Sequence, residues 1–221
     1  MDYKGPTHDD LVNIRALNRY FLRAISGTDI DTFGELAERR LTDSQLAHLA
    51  SAPFLLFSFR EQDSDYWQRL LSDDPQLELI DSAALPSEKV RHLQVAGLGF
   101  LWQLSRRNPY VSRVVSGAPA SWCELLTGST LAKLFDRAAT RGDLLCPRFA
   151  GEDSIWRRLL DSGVHAKRSL RRTSHHCALQ ALLTRGQRVH SEVISVAACG
   201  TQNPARRHAF RATDSFGVTK V

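Results

Sequence analysis

Apolar residues recur at spacings of three and four along much of the chain. Leu11, Ile14, Leu17, Phe21, Leu22 and Ile25 fall on one face of a 3.6-residue helix. A second long pattern holds Val90, Leu93, Val95, Leu98, Leu101 and Leu104, and Ser87, just after Pro86, is placed to cap it. β-branched residues rarely alternate with polar ones. The exception is the run Phe54-Leu55-Leu56-Phe57-Ser58-Phe59, which reads as a short strand or a buried turn. From Asp73 to Pro86 there are two prolines and little periodicity, as in a connection. The expected fold class is all-α.

The pattern also repeats. Leu41-Thr42-Asp43-Ser44-Gln45-Leu46-Ala47-His48-Leu49 is echoed by Leu126-Thr127-Gly128-Ser129-Thr130-Leu131-Ala132-Lys133-Leu134. Leu55-Leu56 matches Leu144-Leu145, and Trp67-Gln68-Arg69-Leu70-Leu71 matches Trp156-Arg157-Arg158-Leu159-Leu160. Upstream, Phe33-Gly34-Glu35-Leu36 matches Trp122-Cys123-Glu124-Leu125, so the Leu-Thr blocks sit four residues out of step with their flanks. Compensating loop changes would produce that offset. The Leu-Thr block has a structural use. Thr42 can cap the helix that follows, Gln45 can reach back as its N3 partner, and Leu41 with Leu46 can staple the entry. By the same spacing Thr127 caps the second copy, with Thr130 at N3 and Leu126 and Leu131 as the staple. The organisation expected is a first repeat at 1–74, a linker at 75–87, a second repeat at 88–162 and a basic extension at 163–221.

Charge sharpens that division. Residues 163–221 carry ten Lys/Arg against two acids, a net of +8, whereas residues 1–162 carry 19 against 22, a net of −3. A polyanion would therefore meet the C-terminal part. The 221 residues are 43% hydrophobic and 24% charged, which excludes collagen-like, mucin-like and wholly disordered classes. No apolar run approaches the roughly 18 residues of a membrane span. The first six residues have no apolar core of a secretory signal. Cys123, Cys146, Cys177 and Cys199 form no C-x-x-C pair, as expected of reduced thiols in a cytoplasmic protein.

With these residues in view, the chain resembles the family of the flagellar transcriptional regulator FlhD. The first copy carries the family's segment as Leu41-Thr42, Gln45, Leu49-Ala50, Leu55-Leu56, Phe59-Arg60 and Asp63. Asn18-Arg19-Tyr20-Phe21-Leu22 is similar to its first helix. The second copy keeps Leu126-Thr127 and Leu144-Leu145-Cys146 but reverses the next pair to Arg148-Phe149. The resemblance implies an all-helical, cytoplasmic, non-enzymatic regulator that binds duplex DNA, with two tandem FlhD-like repeats fused as a pseudo-dimer. It implies a zinc-containing FlhC-like subunit as a partner, with homodimerisation as a further option. A family position that can hold a linking cysteine is Phe57 in the first copy and Cys146 in the second, which leaves no symmetric cross-link.

Enzyme motifs are nearly absent. There is no phosphate-binding loop and no nucleophile elbow. Gly97-Leu98-Gly99 lies inside a helical pattern and reads as close packing. Asp63 and Asp65 read as helix-start acids. His165, His175, His176, Cys177, His190, Cys199 and His208 are zinc-ligand types at spacings that do not suit a zinc site. No catalytic residue, metal or cofactor is expected. The DNA-contact candidates are Lys167, Arg168, Arg171 and Arg172, extended by Arg185 and Arg188, with Arg206 and Arg207 beyond. Read as a helix, Arg168, Arg171, Arg172 and His175 share one face. The alternative is a helical protein–protein adaptor with no DNA binding of its own and an incidental basic tail.

Overall fold

The computed structural model describes residues 5–25, 40–72, 86–141 and 144–199, with side chains up to residue 184. The described elements are mostly helical, in line with the all-α expectation. The expected connection at 75–87 and the Phe33–Leu36 stretch lie largely or wholly outside the described residues, as does the chain beyond Cys199. The chain divides into two units, 1–186 and 187–221. In the second, the described part is helix up to Cys199.

Helix α1 (His8–Ile25) buries Ile14, Leu17, Phe21, Leu22 and Ile25, the stripe expected from their spacing. Thr7 and Asp10 start it reciprocally. The Asp10 amide donates to Thr7 Oγ1 at 3.2 Å, and the Thr7 amide donates to Asp10 Oδ2 at 2.9 Å. Helix α2 (Asp43–Ala50) opens on the expected capping box of Thr42 and Gln45. Leu41 and Leu46 are half-buried against the core rather than enclosed in it. The aromatic run then crosses the centre of the molecule, and Phe54, Leu55, Leu56, Phe57 and Phe59 are all fully buried. Within it lies strand β1 (Phe57–Ser58), followed by helix α3 (Ser64–Leu71). Asp63 caps α3, with Oδ1 accepting from the Tyr66 amide at 3.0 Å. That is the helix-start role expected of it.

Helix α4 (Glu88–Arg107) is capped by Ser87 and buries Leu93, Leu98, Leu101 and Leu104. Gly97 is required by packing. A Cβ there would stand 2.7 Å from the Phe59 ring, and one on Gly99 would stand 3.1 Å from Phe135. Helices α5 (Pro109–Ser116), α6 (Ala120–Gly128) and α7 (Leu131–Thr140) follow. Strand β2 (Cys146–Pro147) pairs antiparallel with β1, Phe57 opposite Pro147 and Ser58 opposite Cys146. Helix α8 (Asp153–Arg158) runs into a π-helical turn (Leu159–Gly163), and α9 (Arg168–Cys199) is the longest helix.

The expected cap at Thr127 is corrected. Thr127 lies in the last turns of α6 and its hydroxyl donates back to the Glu124 carbonyl at 3.0 Å. The cap of the next helix is Thr130, whose hydroxyl accepts from the Lys133 amide at 3.3 Å. The Leu126-Thr127 block therefore ends a helix where Leu41-Thr42 begins one. Matching the two caps, Thr42 and Thr130, gives a spacing of 88, within one residue of the 89 between Trp67 and Trp156.

Two stretches around the strands share their local geometry. Trp67 Nε1 donates to the Phe59 carbonyl at 2.9 Å, eight residues back, and Trp156 Nε1 donates to the Arg148 carbonyl at 2.5 Å, also eight back. Seven residues before each tryptophan the backbone turns left-handed, at Arg60 (φ 55°) and Phe149 (φ 60°). The reversal of Phe-Arg to Arg-Phe decides what enters the core. Phe59 points in, and Arg60 lies over the Tyr66 ring at 4.1 Å and pairs with Asp63 at 2.8 Å. In the other stretch it is Arg148 that points in, and Phe149 is buried against Phe54. Arg148 bonds Glu61 through Nη1 at 3.2 Å and Nη2 at 3.0 Å. It also donates to the Leu55 carbonyl at 3.2 Å and to the Phe57 carbonyl. Ser58 donates to the same Glu61 carboxylate. A buried arginine is tolerable because its donors find acceptors in this way.

Two amides on the long helices hold the connections that lead to the strands. Asn18, fully buried on α1, donates to the Phe54 carbonyl and accepts from the Leu56 amide, both at 2.8 Å. Gln94, equally buried on α4, donates to the Arg141 carbonyl at 2.9 Å. Helix α1 packs on α2 as α4 packs on α7, and α1 and α4 pack on each other.

Candidate nucleic-acid interface

Lys167 stands immediately before α9, and Arg168, Arg171, Arg172, Arg185 and Arg188 lie within it. The side chains of Arg185 and Arg188 fall outside the described residues, and so do Arg206 and Arg207. The start of α9 is fixed from below. The π-helical turn buries Leu159, Leu160 and Gly163. His48 of α2 hydrogen-bonds the Val164 carbonyl at 3.1 Å. Ser174 Oγ reaches back from α9 to the Arg158 carbonyl at 3.1 Å. Ser174, His175, Ala178 and Leu182 form the buried stripe, at spacings of one, three and four. Leu182 packs over Gly117, the left-handed end of α5 (φ 68°), where a Cβ would collide with it.

This anchoring separates the basic candidates. Lys167, Arg168 and Arg172 are exposed. Arg171 is half-buried and folds back, its Nη1 donating to the carbonyls of His165 at 2.9 Å and Ala166 at 3.3 Å. It braces the entry to the helix. His175, expected on the same face as the arginines, is instead buried with its Nε2 lacking a hydrogen-bond partner. The reason is register. The stripe that faces the body runs through His175, with Arg171 at its edge, so the exposed line is Arg168, Arg172 and His176. Leu170 is 44% exposed for the same reason. Burial, with Arg171 and His176 nearby, lowers the His175 pKa to about 4, so the ring is neutral at pH 7.

The result is a helix N-terminus with three exposed cations and no acid between Asp161 and Glu192. Unsatisfied amides and the helix dipole add positive potential at that end. Such a surface can hold phosphate. Among the described residues no group of three His, Cys, Asp or Glu side chains is placed to bind a metal ion. No described helix is long and apolar enough to cross a membrane. Cys123, Cys146 and Cys177 form no disulfide, and burial pushes the Cys123 thiol pKa up.

Sequence reasoning passed over Arg15, Arg19 and Arg23, which lie exposed on α1. Their four-residue spacing was the available signal, masked by the acidic balance of the first 162 residues. It also passed over a groove between α4 and α7 with Val95, Ala96, Phe135 and Ala139 in its lining and Arg91, His92 and Asp136 beside them. Neither helix pattern alone could show which faces adjoin. In comparisons with family models, curated proteins and solved structures, the chain matches none.

Proposed function

We propose that this chain is a cytoplasmic, FlhD-like transcriptional regulator, built as a pseudo-dimer of two helical repeats, that binds duplex DNA through the start of α9. The observation that carries the DNA reading is the acid-free, anchored opening of α9, with Lys167, Arg168 and Arg172 free to meet phosphates. The +8 against −3 division of charge supports it. Arg171 holds the segment in place, and Arg185 and Arg188 stay further candidates from the sequence.

The pseudo-dimer is supported by geometry repeated at a spacing of 89 residues. Phe57 and Cys146, Arg60 and Phe149, Asp63 and Glu152, and Trp67 and Trp156 all stand 89 apart at like places in strand, turn, cap and helix. Thr42 and Thr130 stand 88 apart, both as caps. The antiparallel pairing of the two strands, Phe57 opposite Pro147 and Ser58 opposite Cys146, is compatible with a two-fold between such halves. Asn18 and Gln94 then become equivalent amide clamps. A regulator of this design would recruit a zinc-containing FlhC-like subunit to supply much of the DNA affinity, with homodimerisation as a further option.

The test is duplex binding by fluorescence anisotropy across a salt series. Log affinity should fall with log salt by about 0.9 per neutralised phosphate. Replacing Lys167, Arg168 and Arg172 with Ala should flatten the slope by up to about three units. No salt-dependent duplex binding, alone or with a cysteine-rich partner subunit, would leave the adaptor reading in its place. That reading has the apolar groove between α4 and α7 in its favour.

A further inference from the structure

Arg15, Arg19 and Arg23 occupy every fourth position of α1, and all three are exposed. Four residues advance a helix by about 6 Å and turn it slightly more than once. The three guanidinium groups therefore form a row of about 12 Å, nearly parallel to the helix axis. None makes an ion pair or a hydrogen bond with another side chain among the described residues. The two acids of α1, Asp9 and Asp10, lie in its first turn, and Asp10 is buried and paired with Arg107.

The row is costly to the helix that bears it. Like charges four residues apart repel and destabilise a helix, and α1 holds two such pairs in succession. Nothing in the packing asks for them, because Ile14, Leu17, Asn18, Phe21 and Leu22 make the buried face. The other long helix is an internal comparison. With Asn18 matched to Gln94, the buried positions 17, 18, 21, 22 and 25 of α1 fall on 93, 94, 97, 98 and 101 of α4, all buried as well. In that register Arg15 meets Arg91, but Arg19 and Arg23 meet Val95 and Gly99. The same helix in the same packing carries no basic row. A local rule broken without structural need points to a role in binding.

We propose that Arg15, Arg19 and Arg23 form a second phosphate-binding surface, which lies along the backbone of duplex nucleic acid. The proposal rests on the DNA-binding reading given above and adds a contact on the half of the chain whose net charge is negative. Arginine suits the task. Its planar fork can hold two phosphate oxygens at once, and such contacts fix the protein's orientation on the duplex without reading sequence. The two basic surfaces are tied through one short helix. Helix α2 packs on α1 and also holds the turn before α9 through His48 and Val164.

The experiment is a salt titration of duplex binding with the full chain and three variants. These are Arg15→Gln/Arg19→Gln/Arg23→Gln, the same three positions changed to Lys, and Lys167→Ala/Arg168→Ala/Arg172→Ala. Circular dichroism melts confirm that each is folded. The glutamine variant should flatten the salt slope by about two to three units, and the lysine variant should restore it because the charge returns. A wild-type slope in the glutamine variant, with a flattened slope in the α9 variant, overturns this inference and leaves the DNA-binding reading intact. Absence of duplex binding by the wild type overturns both. Displacement of the duplex by polyglutamate at equal charge concentration also overturns the inference, in favour of an acidic protein surface.

Discussion

Acid should loosen the chain through one residue, His175. The ring is buried under the start of α9, and its Nε2 has no hydrogen-bond partner. Burial, with Arg171 and His176 adding repulsion, lowers its pKa from 6.5 to about 4. In the unfolded chain the ring returns to its ordinary value. Between those limits the unfolded state binds a proton that the folded state refuses, so stability falls as pH falls. The contribution is fully present above about pH 6.5, is lost progressively below it, and is exhausted near pH 4. One pKa unit is worth about 1.4 kcal/mol, so the loss from pH 7.5 to 4.5 is about 2.5 kcal/mol. Other groups titrate in the same range, so the informative quantity is the difference from His175→Gln. The variant has its own fixed cost, a buried amide without partners, of about 1–3 kcal/mol. That cost does not change with pH. Urea unfolding followed by tryptophan fluorescence at half-unit pH steps would give both curves. The wild type should lose about 2.5 kcal/mol more than the variant between pH 7.5 and 4.5. Parallel curves would show that His175 is not buried as a neutral ring, and the docking of α9 described above would be wrong.

Two further outcomes follow from the same contacts. Thr42→Ala and Thr130→Ala should each cost about 0.5–2 kcal/mol in thermal melts, while Thr127→Ala stays within about 0.5 kcal/mol of wild type. Equal losses at Thr127 and Thr130 would restore the sequence alignment of the Leu-Thr blocks. Arg148→Met should cost about 3–5 kcal/mol in urea melts, because it leaves Glu61 buried without its partner, whereas Arg148→Met/Glu61→Leu should recover most of that loss.

Much of the fold was legible along the chain. Periodicity gave α1 and α4 and most of their buried faces, because a helix carries its own pattern every three or four residues. Ser87, Thr42 with Gln45, and Asp63 were readable because a cap depends on residues three positions away. Packing of Gly97 and Gly99 followed from their place inside a helical stripe. The charge division was simple counting, and it singled out residues 163–221.

What required the tertiary structure was every choice set by distant partners. Sequence identity favoured Thr127 over Thr130, and only the end of α6 shows that Thr127 is inside a helix and Thr130 is the cap. The Phe59-Arg60 and Arg148-Phe149 pairs look like a simple exchange. Their opposite fates come from Glu61 and the carbonyls of Leu55 and Phe57, which await Arg148 across the chain. The face of α9 could not be chosen from its own residues, since basic, polar and apolar positions mix around it. The Arg158 carbonyl, the buried turn at Gly163 and the space over Gly117 chose it, drawing in Ser174, His175 and Leu182 and leaving Lys167, Arg168 and Arg172 to solvent. A chain fixes local hydrogen bonds within a few residues. Which side of a helix is the inside depends on surfaces supplied by segments far away.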